Sequence, residues 1–332
     1  MKAVICRKFA PVDALEIGAF AAPAVAPGTL LIDVAAAGVN FPDGLMVQGK
    51  YQTKPPVPFV PGSELGGVVR AVGEGVSGFA VGDRIVAFSG TGGFAEQAVV
   101  PAPQAFPVPA GADLVVASGM LITYGTSYHA LKDRAALKLG ETLLVLGAAG
   151  GVGLAAVELG KAYGAKVVAA VSSEEKAAVA REHGADEVVV YPRAPLDKDQ
   201  SKALAEAFKA ACGPNGADVI YDIIGGDYSE PAVRSIAWEG RFCVVGFTAG
   251  IAKLPLNLTL LKSCDVCGVF WGAFAARDPQ ANAKHIATLF DLLKAGKINP
   301  KVSATFPLER GGEAIQLLAD RKAIGKVVVT MN

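Results

Sequence analysis

Two patterns of hydrophobic positions divide the chain near residue 122. Up to about Gly119, short apolar runs alternate with glycine and proline, which predicts an irregular, mostly antiparallel β domain. These runs are Leu30–Ala36, Gly66–Val72, Arg84–Ala87 and Phe94–Val100. After about Thr123, apolar strands alternate with alanine-rich helical stretches, which is the pattern of βαβ units around a parallel sheet.

Six apolar runs in the second region are predicted to be strands. They are Thr142–Leu146, Lys166–Val171, Glu187–Val190, Val219–Ile223, Arg241–Val245 and Asp265–Phe270. The clearest helices between them are Gly151–Tyr163 and Glu174–His183, the second with Ser172 or Ser173 as its N-cap. Six strands in this order indicate the doubly wound dinucleotide-binding fold.

The C-terminal part of the chain departs from this alternation. The pattern there predicts two helices and two strands, at Pro279–Lys294, Val302–Pro307, Gly311–Asp320 and Gly325–Thr330. We therefore expect the chain to cross back and complete the first domain. The predicted domains are 1–122 with 271–332, and 123–270. The uncharged run Leu114–Leu131 contains several hydroxyl side chains and His129, which indicates a buried domain junction instead of a membrane span.

Composition narrows the classes of function. The chain has 332 residues and a balance of 31 basic and 31 acidic side chains, so charge gives no reason to expect a nucleic acid or membrane partner. The start of the sequence lacks the pattern of a signal peptide, which favours a cytoplasmic protein. Five scattered cysteines favour reduced thiols. Cys264 and Cys267 lack further zinc ligands nearby and are interpreted as strand residues that pack internally.

The strongest motif is the segment Leu143–Gly153, a strand that enters a glycine-rich turn and then an alanine-rich helix. Small residues let the backbone approach a pyrophosphate, whose charge meets the amides and dipole of the helix start. The predicted cofactor contacts here are Ala148, Gly150, Gly151, Val152 and Gly153. Ala148 stands where the usual fingerprint has its first glycine, so a turn used only for packing is the alternative.

The end of the second strand predicts which dinucleotide binds. An NAD enzyme usually presents an acidic side chain there to the ribose 2′-hydroxyl. In this chain Val171 is followed by Ser172, Ser173 and, one turn on, Lys176. Two hydroxyls and an ammonium suit a 2′-phosphate, which predicts NADP; the alternative is that Lys176 is a solvated helix residue. Glu174 and Glu175 are expected to point outward.

Several ordered motifs resemble the NADPH:quinone oxidoreductase (zeta-crystallin-like) branch of the medium-chain dehydrogenase/reductase family. They are Gly38–Asp43, Tyr51, Pro61–Gly67, Val81–Ile85 and Ala148–Gly153. The resemblance extends from the first strand to Gly325–Val328. It implies a GroES-like, β-rich catalytic domain joined to a Rossmann nucleotide-binding domain, and hydride transfer from NADPH to a quinone.

The zinc-dependent alcohol dehydrogenases of this family carry a cysteine and a Gly-His-Glu motif where this chain has Asn40 and Gly62-Ser63-Glu64. We therefore predict a zinc-independent protein. Without a Lewis acid to stabilise an alkoxide, oxidation of ordinary alcohols is disfavoured. A quinone or an alkene conjugated to a carbonyl accepts hydride more readily, because the developing charge is delocalised.

The resemblance also implies roles for individual residues. Asn40, Asp43, Tyr51 and Thr126 would surround the nicotinamide and the acceptor, with Tyr51 as a proton donor or a pocket wall. The structural alternatives are that Asn40 is a turn residue, Asp43 a helix cap, Tyr51 a pocket wall and Thr126 a hydrogen-bond partner of the backbone. Further cofactor contacts are implied at Tyr191, Gly246, Phe247, Thr248, Phe270, Trp271, Gly272 and Lys326, with core packing as the alternative for the aromatic residues after Tyr191.

Three functions remain open at this stage. The first is an NADPH:quinone oxidoreductase; the second is an NADPH-dependent enoyl, 2-alkenal or enoyl-CoA reductase. The third is a non-catalytic NADPH-binding or RNA-binding protein, against which the balanced charge counts. We also expect a homodimer that pairs through the edge strand Asp265–Phe270.

Overall fold

In the computed structural model, which describes residues 1–331, the chain divides into two compact units. The first contains 1–122, 275–290 and the segment from Pro300 onward; the second contains 123–274 and 291–299. Residues 271–274 and 291–299, which the sequence analysis placed in the first domain, thus group with the second unit. The cause is local: Trp271 packs against Gly125, and the Asn299 amide donates to the buried Glu158 carboxylate at 2.9 Å.

The described residues form fifteen strands. They are β1 (Lys2–Ile5), β2 (Glu16–Ala19), β3 (Thr29–Val39), β4 (Glu64–Val72), β5 (Arg84–Phe88), β6 (Gln97–Pro101), β7 (Ala105–Pro107), β8 (Thr142–Leu146), β9 (Lys166–Val171), β10 (Glu187–Val190), β11 (Ala217–Asp222), β12 (Ile236–Val244), β13 (Asp265–Gly268), β14 (Val302–Pro307) and β15 (Lys326–Thr330).

The same residues form eleven α-helices. They are α1 (Phe41–Val47), α2 (Leu114–Ala117), α3 (Leu121–Tyr128), α4 (Gly151–Ala162), α5 (Glu174–Glu182), α6 (Lys198–Cys212), α7 (Ser229–Arg234), α8 (Asn257–Lys262), α9 (Trp271–Arg277), α10 (Pro279–Lys294) and α11 (Gly311–Ala319).

The first unit is built on a seven-stranded sheet in the order β14-β15-β3-β4-β5-β7, with β6 also pairing β3. Every pair is antiparallel except β14 with β15, which confirms the predicted irregular β domain. Alternating side chains of β3, such as Leu30 and Ile32, are fully buried in the core of this unit. Among the polar residues considered below, Asn40 and Asp43 follow β3, Glu64 begins β4 and Lys326 begins β15.

The second unit contains a parallel six-stranded sheet in the order β10-β9-β8-β11-β12-β13. This is the predicted doubly wound arrangement, and its strand order reverses between β8 and β11. Three predicted strands have the observed bounds, whereas β12 begins at Ile236, five residues before the predicted start. Glu239, within β12, has a left-handed φ of 58°, and the pairing register shifts between Ala217 and Val219. Because this irregularity interrupts the regular alternation of the strand, the hydrophobic pattern does not mark the early part of β12.

Within residues 1–331, no helix is long and apolar enough to cross a membrane. The run Leu114–Leu131 contains the short helices α2 and α3 and the start of a π-helical turn, His129–Arg134. The His129 ring lies 2.6 Å from the Asp133 carboxylate and stacks on Phe274 with ring centroids 4.2 Å apart. His129 therefore has a hydrogen-bond partner at Nδ1 and a stacking partner on its ring face, which suits a structural role for this side chain.

Candidate active-site residues

The glycine-rich turn after β8 is shaped by a backbone contact. Gly147 has a φ of 75°, and a Cβ atom on Gly153 would lie 2.2 Å from the Gly147 carbonyl oxygen. Only glycine at 153 therefore lets α4 begin so close to the turn. The first amides of α4, at Gly151, Val152 and Gly153, lack carbonyl partners within the helix, as in every helix start. Together with the helix dipole, they form the expected setting for a pyrophosphate.

Two further loops meet this turn at the carboxyl edge of the sheet. A Cβ on Gly147 would lie 3.0 Å from side-chain carbons of Ile223 and Ile224, in the loop after β11. The loop after β12 reaches the same place, because the Gly246 amide donates to the Asp222 backbone carbonyl at 3.1 Å and the Thr248 hydroxyl donates to the Ile223 carbonyl at 3.3 Å. The predicted residues Gly246, Phe247 and Thr248 thus belong to a loop packed beside the strand-order reversal. Phe247 is 44% exposed, which leaves its ring accessible to a ligand.

The carboxylate of Asp222 holds the loop after β11, and sequence reasoning missed it. It accepts hydrogen bonds from the amides of Ile224 and Gly225 at 2.8 and 2.9 Å and from the Ser229 hydroxyl at 2.5 Å. Burial raises the pKa of Asp222, while these donors oppose the rise. An acidic residue that ends an apolar strand before two glycines is the signal that would have found it. Its role is to position the loop.

The three residues predicted to select the 2′-phosphate lie together. The Lys176 ammonium donates to the Ser172 hydroxyl at 3.2 Å, and Ser173 is the N-cap of α5, accepting from the Lys176 amide at 3.3 Å. Burial lowers the pKa of Lys176; Glu175 opposes this effect and Arg193 adds to it. Glu174 and Glu175 are exposed, as expected.

Arg193 is a second cation near Lys176 that sequence reasoning missed. The Tyr191 amide donates to the Val171 carbonyl at 2.9 Å, which places the segment after β10 beside the end of β9. The Tyr191 ring packs on Tyr228 with centroids 4.7 Å apart. Arg193 is exposed and close enough to Lys176 for its charge to act on the ammonium. The position of Arg193, two residues after the predicted cofactor contact Tyr191, is the sequence signal that would have indicated this second cation.

Helix α3 is attached to the start of α4 through Ser127. Its hydroxyl lies 3.0 Å from the Val152 carbonyl oxygen and 2.8 Å from the Tyr221 hydroxyl. Thr126, the next residue back, is half-buried on the same helix. Its predicted approach to the nicotinamide stays a prediction.

The predicted residues at the start of α9 have different surroundings from one another. Trp271 is buried, and a Cβ on Gly125 would lie 2.7 Å from its indole ring, so packing accounts for this side chain. Phe270 is 60% exposed and Gly272 is partly exposed. Phe270 is therefore the aromatic residue of this segment that is available to a ligand, while the cofactor contacts of all three residues stay predictions.

In the first unit, Asn40 belongs to a buried polar cluster with Glu64 and Lys326. The Lys326 ammonium donates to the Asn40 amide oxygen at 2.7 Å and to the Glu64 carboxylate at 2.6 Å, and Asn40 donates to Glu64 at 3.0 Å. The second Glu64 oxygen accepts from the Ile122 amide at 2.9 Å. Loss of either charge would leave the other buried, at a typical cost of about 3–5 kcal/mol. Asn40 and Glu64 thus already hold the Lys326 ammonium. The cofactor contact that the resemblance implies for Lys326 stays a prediction.

Asp43 is fully buried in the first turn of α1. Its carboxylate accepts from the Asn40 backbone amide at 2.7 Å and from the Ser63 hydroxyl at 2.6 Å. Asp43 therefore caps the start of α1, which was the structural alternative for this residue. Burial raises the pKa of Asp43 to about 6, although both donors oppose the rise. Burial, followed by the charge of Asp43, raises the pKa of the partly buried Tyr51. The Tyr51 hydroxyl therefore stays protonated at neutral pH.

Zinc does not fit these residues. At the two expected ligand positions stand the amide of Asn40 and the hydroxyl of Ser63, and the Ser63 hydroxyl already donates to Asp43. Neither group supplies the thiolate or imidazole that zinc prefers. The Lys326 ammonium bound to Glu64 and Asn40 would also repel a divalent cation. Across residues 1–331, no group of three or more His, Cys, Asp or Glu side chains is placed to hold a metal ion.

The raised pKa of Asp43 predicts how stability depends on pH. Because the folded state binds this proton more tightly than the unfolded state, the stabilisation is complete below about pH 4 and is lost as pH rises through about 6. Relative to Asp43→Asn, the wild-type free energy of unfolding should fall by about 2 kcal/mol between about pH 4 and 7. Urea denaturation across this range measures the difference, and parallel curves for the two proteins would contradict it.

Comparison with known proteins assigns the family. Residues 151–288 match the family model described as zinc-binding dehydrogenase, and residues 26–110 match the alcohol dehydrogenase GroES-like domain. The chain is 36% identical to quinone oxidoreductase-like protein 2 of Rattus norvegicus, over 99% of this chain and 92% of the relative. It is 30% identical to human quinone oxidoreductase, over 100% of this chain and 98% of the relative.

Solved structures agree with this assignment. Escherichia coli quinone oxidoreductase complexed with NADPH has a TM-score of 0.90 at 26% identity, covering 99% of this chain and 100% of that one. A mycobacterial protein complexed with NADPH has a TM-score of 0.91 at 30% identity, with the same coverage. The predicted GroES-like and Rossmann-like domains are thereby confirmed. The chain belongs to the medium-chain dehydrogenase/reductase family, among the relatives of the quinone oxidoreductases.

Proposed function

We propose that this protein is a zinc-independent reductase that transfers hydride from NADPH to a quinone. The observation that carries the cofactor choice is the convergence of Ser172, Ser173 and Lys176 at the end of β9, with Arg193 nearby. An acid that would accept the ribose 2′-hydroxyl of NAD is absent from positions 172 and 173, directly after β9. The NADPH complexes of two structural relatives support the same choice.

The second unit supplies the groups that hold the cofactor. The amides of Gly151, Val152 and Gly153 bind the pyrophosphate at the start of α4, and Ser172, Lys176 and Arg193 bind the 2′-phosphate. Tyr191, supported by Tyr228, contacts the adenosine. The loop 246–248 and the exposed Phe270 line the nicotinamide end. Bound NADPH supplies the hydride, and these residues fix its direction.

The first unit supplies polar groups for the acceptor. Tyr51 keeps its proton at neutral pH and donates a hydrogen bond to an oxygen of the quinone, where negative charge develops. Asp43 and Asn40 hold the backbone at the start of α1 and thereby position the segment that leads to Tyr51. Thr126, in the second unit, orients the nicotinamide. Protonation of the hydroquinone is completed by Tyr51 or by water, so no further acid is required.

We propose a homodimer that forms through β13, the edge strand of the parallel sheet. Large apolar side chains near this edge are exposed: Ile251 is 80%, Leu260 78% and Leu256 73% exposed. Such a concentration of exposed apolar side chains is typical of an interaction surface. A cytoplasmic location is also proposed, because all five cysteines are unpaired, as in reducing compartments.

Removal of the Lys176 ammonium should weaken NADPH binding selectively. A charge-assisted hydrogen bond contributes about 1.5–3 kcal/mol, so Lys176→Ala should raise the Kd for NADPH about ten- to hundredfold and leave NADH binding unchanged. Arg193→Ala should change affinity in the same direction. Lys202→Ala, at an exposed position on α6, serves as the control. Calorimetric titration of the wild type and the three variants with each dinucleotide measures these affinities; equal losses for NADPH and NADH would contradict the assignment.

Steady-state assays should separate the candidate acceptors. With NADPH, we expect kcat/KM to be highest for benzoquinone or naphthoquinone, and lower for a 2-alkenal and an enoyl-CoA. The turnover rate should be unchanged after dialysis against a chelator, and elemental analysis should detect no stoichiometric zinc. A higher kcat/KM for the alkenal or the enoyl-CoA would contradict the assignment of a quinone and identify that acceptor class as the substrate. Turnover that depends on zinc would overturn the proposal.

The dimer is tested by sedimentation velocity. The wild-type protein should sediment as a dimer, and Leu260→Glu together with Val266→Glu should shift it to monomer, because the charges would be buried without partners. The control Leu139→Glu changes a side chain that is 84% exposed in the loop before β8 and should leave the dimer intact. A monomeric wild-type protein would disprove the dimer.

A further inference from the structure

Two cysteines far apart in sequence lie side by side in the parallel sheet. Cys243 of β12 and Cys267 of β13 are direct partners in the strand register. Side chains at paired positions point to the same face of a sheet. The Cα atoms of neighbouring strands are about 4.8 Å apart, within the range of about 4.4–6.8 Å that a disulfide requires. The backbone therefore already meets the geometric condition for a bond between these two sulfurs.

The surroundings of the pair also distinguish the two thiols. The adjacent Cys243 thiol, and to a lesser extent the charge of Arg134, lower the pKa of Cys267, while its partial burial opposes this effect. Arg134 is held at this point by a hydrogen bond from its guanidinium to the Gly268 carbonyl at 3.0 Å. Cys243 is fully buried, whereas Cys267 is partly exposed. One member is thus accessible and disposed to form a thiolate, and the other is protected beside it.

The cysteine nearest in sequence is not the partner. Cys264 lies three residues before Cys267, an odd separation that directs the two side chains of an extended chain to opposite faces. Cys264 packs with Phe242 in the apolar core of the second unit. Phe242 precedes Cys243 on β12, so the core lies on the opposite face of the sheet from the Cys243 side chain. The sheet therefore pairs Cys267 with Cys243 instead of with Cys264.

We propose that Cys243 and Cys267 form a redox-active dithiol that hydrogen peroxide or a comparable hydroperoxide converts into a disulfide. The Cys267 thiolate attacks one peroxide oxygen, which breaks the O–O bond, releases hydroxide and leaves a sulfenic acid on Cys267. The Cys243 sulfur then attacks the Cys267 sulfur, loses its proton and expels the sulfenic oxygen as hydroxide; protonation yields water. In total, two thiols and one hydrogen peroxide give one disulfide and two molecules of water; an organic hydroperoxide gives one disulfide, one alcohol and one water.

The disulfide would join β12 covalently to the edge strand. Both cysteines lie three residues before a candidate cofactor loop: Cys243 precedes Gly246, and Cys267 precedes Phe270. Oxidation would thus constrain the two strands that lead into the loops carrying the exposed aromatic residues Phe247 and Phe270. Pairing of β13 with a second copy of the chain would use the backbone groups at its edge and leave this face of the sheet unchanged.

The experiment treats the reduced, full-length protein with hydrogen peroxide, blocks remaining thiols with an alkylating reagent and maps tryptic peptides without reduction. The wild-type protein should lose two of its five thiols and yield a linked pair of peptides, Phe242–Lys253 with Ser263–Arg277. Because the second peptide contains both Cys264 and Cys267, the Cys264→Ala variant identifies the sulfur involved. It should form the link as the wild type does.

The two partner variants complete the test. Cys267→Ala should form no link, and Cys243→Ala should stop at a Cys267 sulfenic acid that a dione probe captures. Cys212→Ala, at a buried cysteine elsewhere in the second unit, is the matched control and should behave as the wild type. A bond between Cys264 and Cys267 would overturn the proposal. Full alkylation of Cys243 and Cys267 after methionines have been oxidised would also overturn it.

Discussion

The contact between the Gly147 carbonyl and Gly153 is the constraint on which the second unit depends. A side-chain carbon at position 153 would lie 2.2 Å from the carbonyl oxygen, which leaves no space for any residue except glycine. This contact brings the start of α4 to the end of β8, where the strand order of the sheet reverses. The loops after β11 and β12 then pack beside the same turn through Asp222 and Ile223. The loops after β8, β11 and β12 are therefore arranged around one close approach of the backbone.

The first unit depends instead on donors that satisfy two buried carboxylates, those of Glu64 and Asp43. Where the zinc enzymes of the family place a thiolate and an imidazole, this chain has an amide and a hydroxyl. The buried Glu64 carboxylate is neutralised by Lys326, and Asp43 is held by Asn40 and Ser63. Each carboxylate thus has its own donors, as a buried acid requires. This arrangement suits a reaction in which the acceptor itself delocalises the negative charge.

Two of the features that sequence reasoning missed depend on strand pairing in the parallel sheet. Arg193 approaches Lys176 because β10 lies next to β9. Cys267 meets Cys243 because β13 lies next to β12, with no trace of that pairing in the spacing of the cysteines. Hydrophobic periodicity marks where strands occur, but it carries no information about which residues become neighbours across them.

The sequence by itself determined the elements, the two-domain class and the glycine-rich turn, because each depends on local chemistry. Glycines permit the turn, apolar runs form buried strands, and Ser173 caps the helix that follows it. Tertiary structure alone decided that Lys326 pairs with Glu64, that Trp271 packs on Gly125 and that burial raises the pKa of Asp43 to about 6. Burial and long-range pairing set these properties, and both depend on parts of the chain that are distant in sequence.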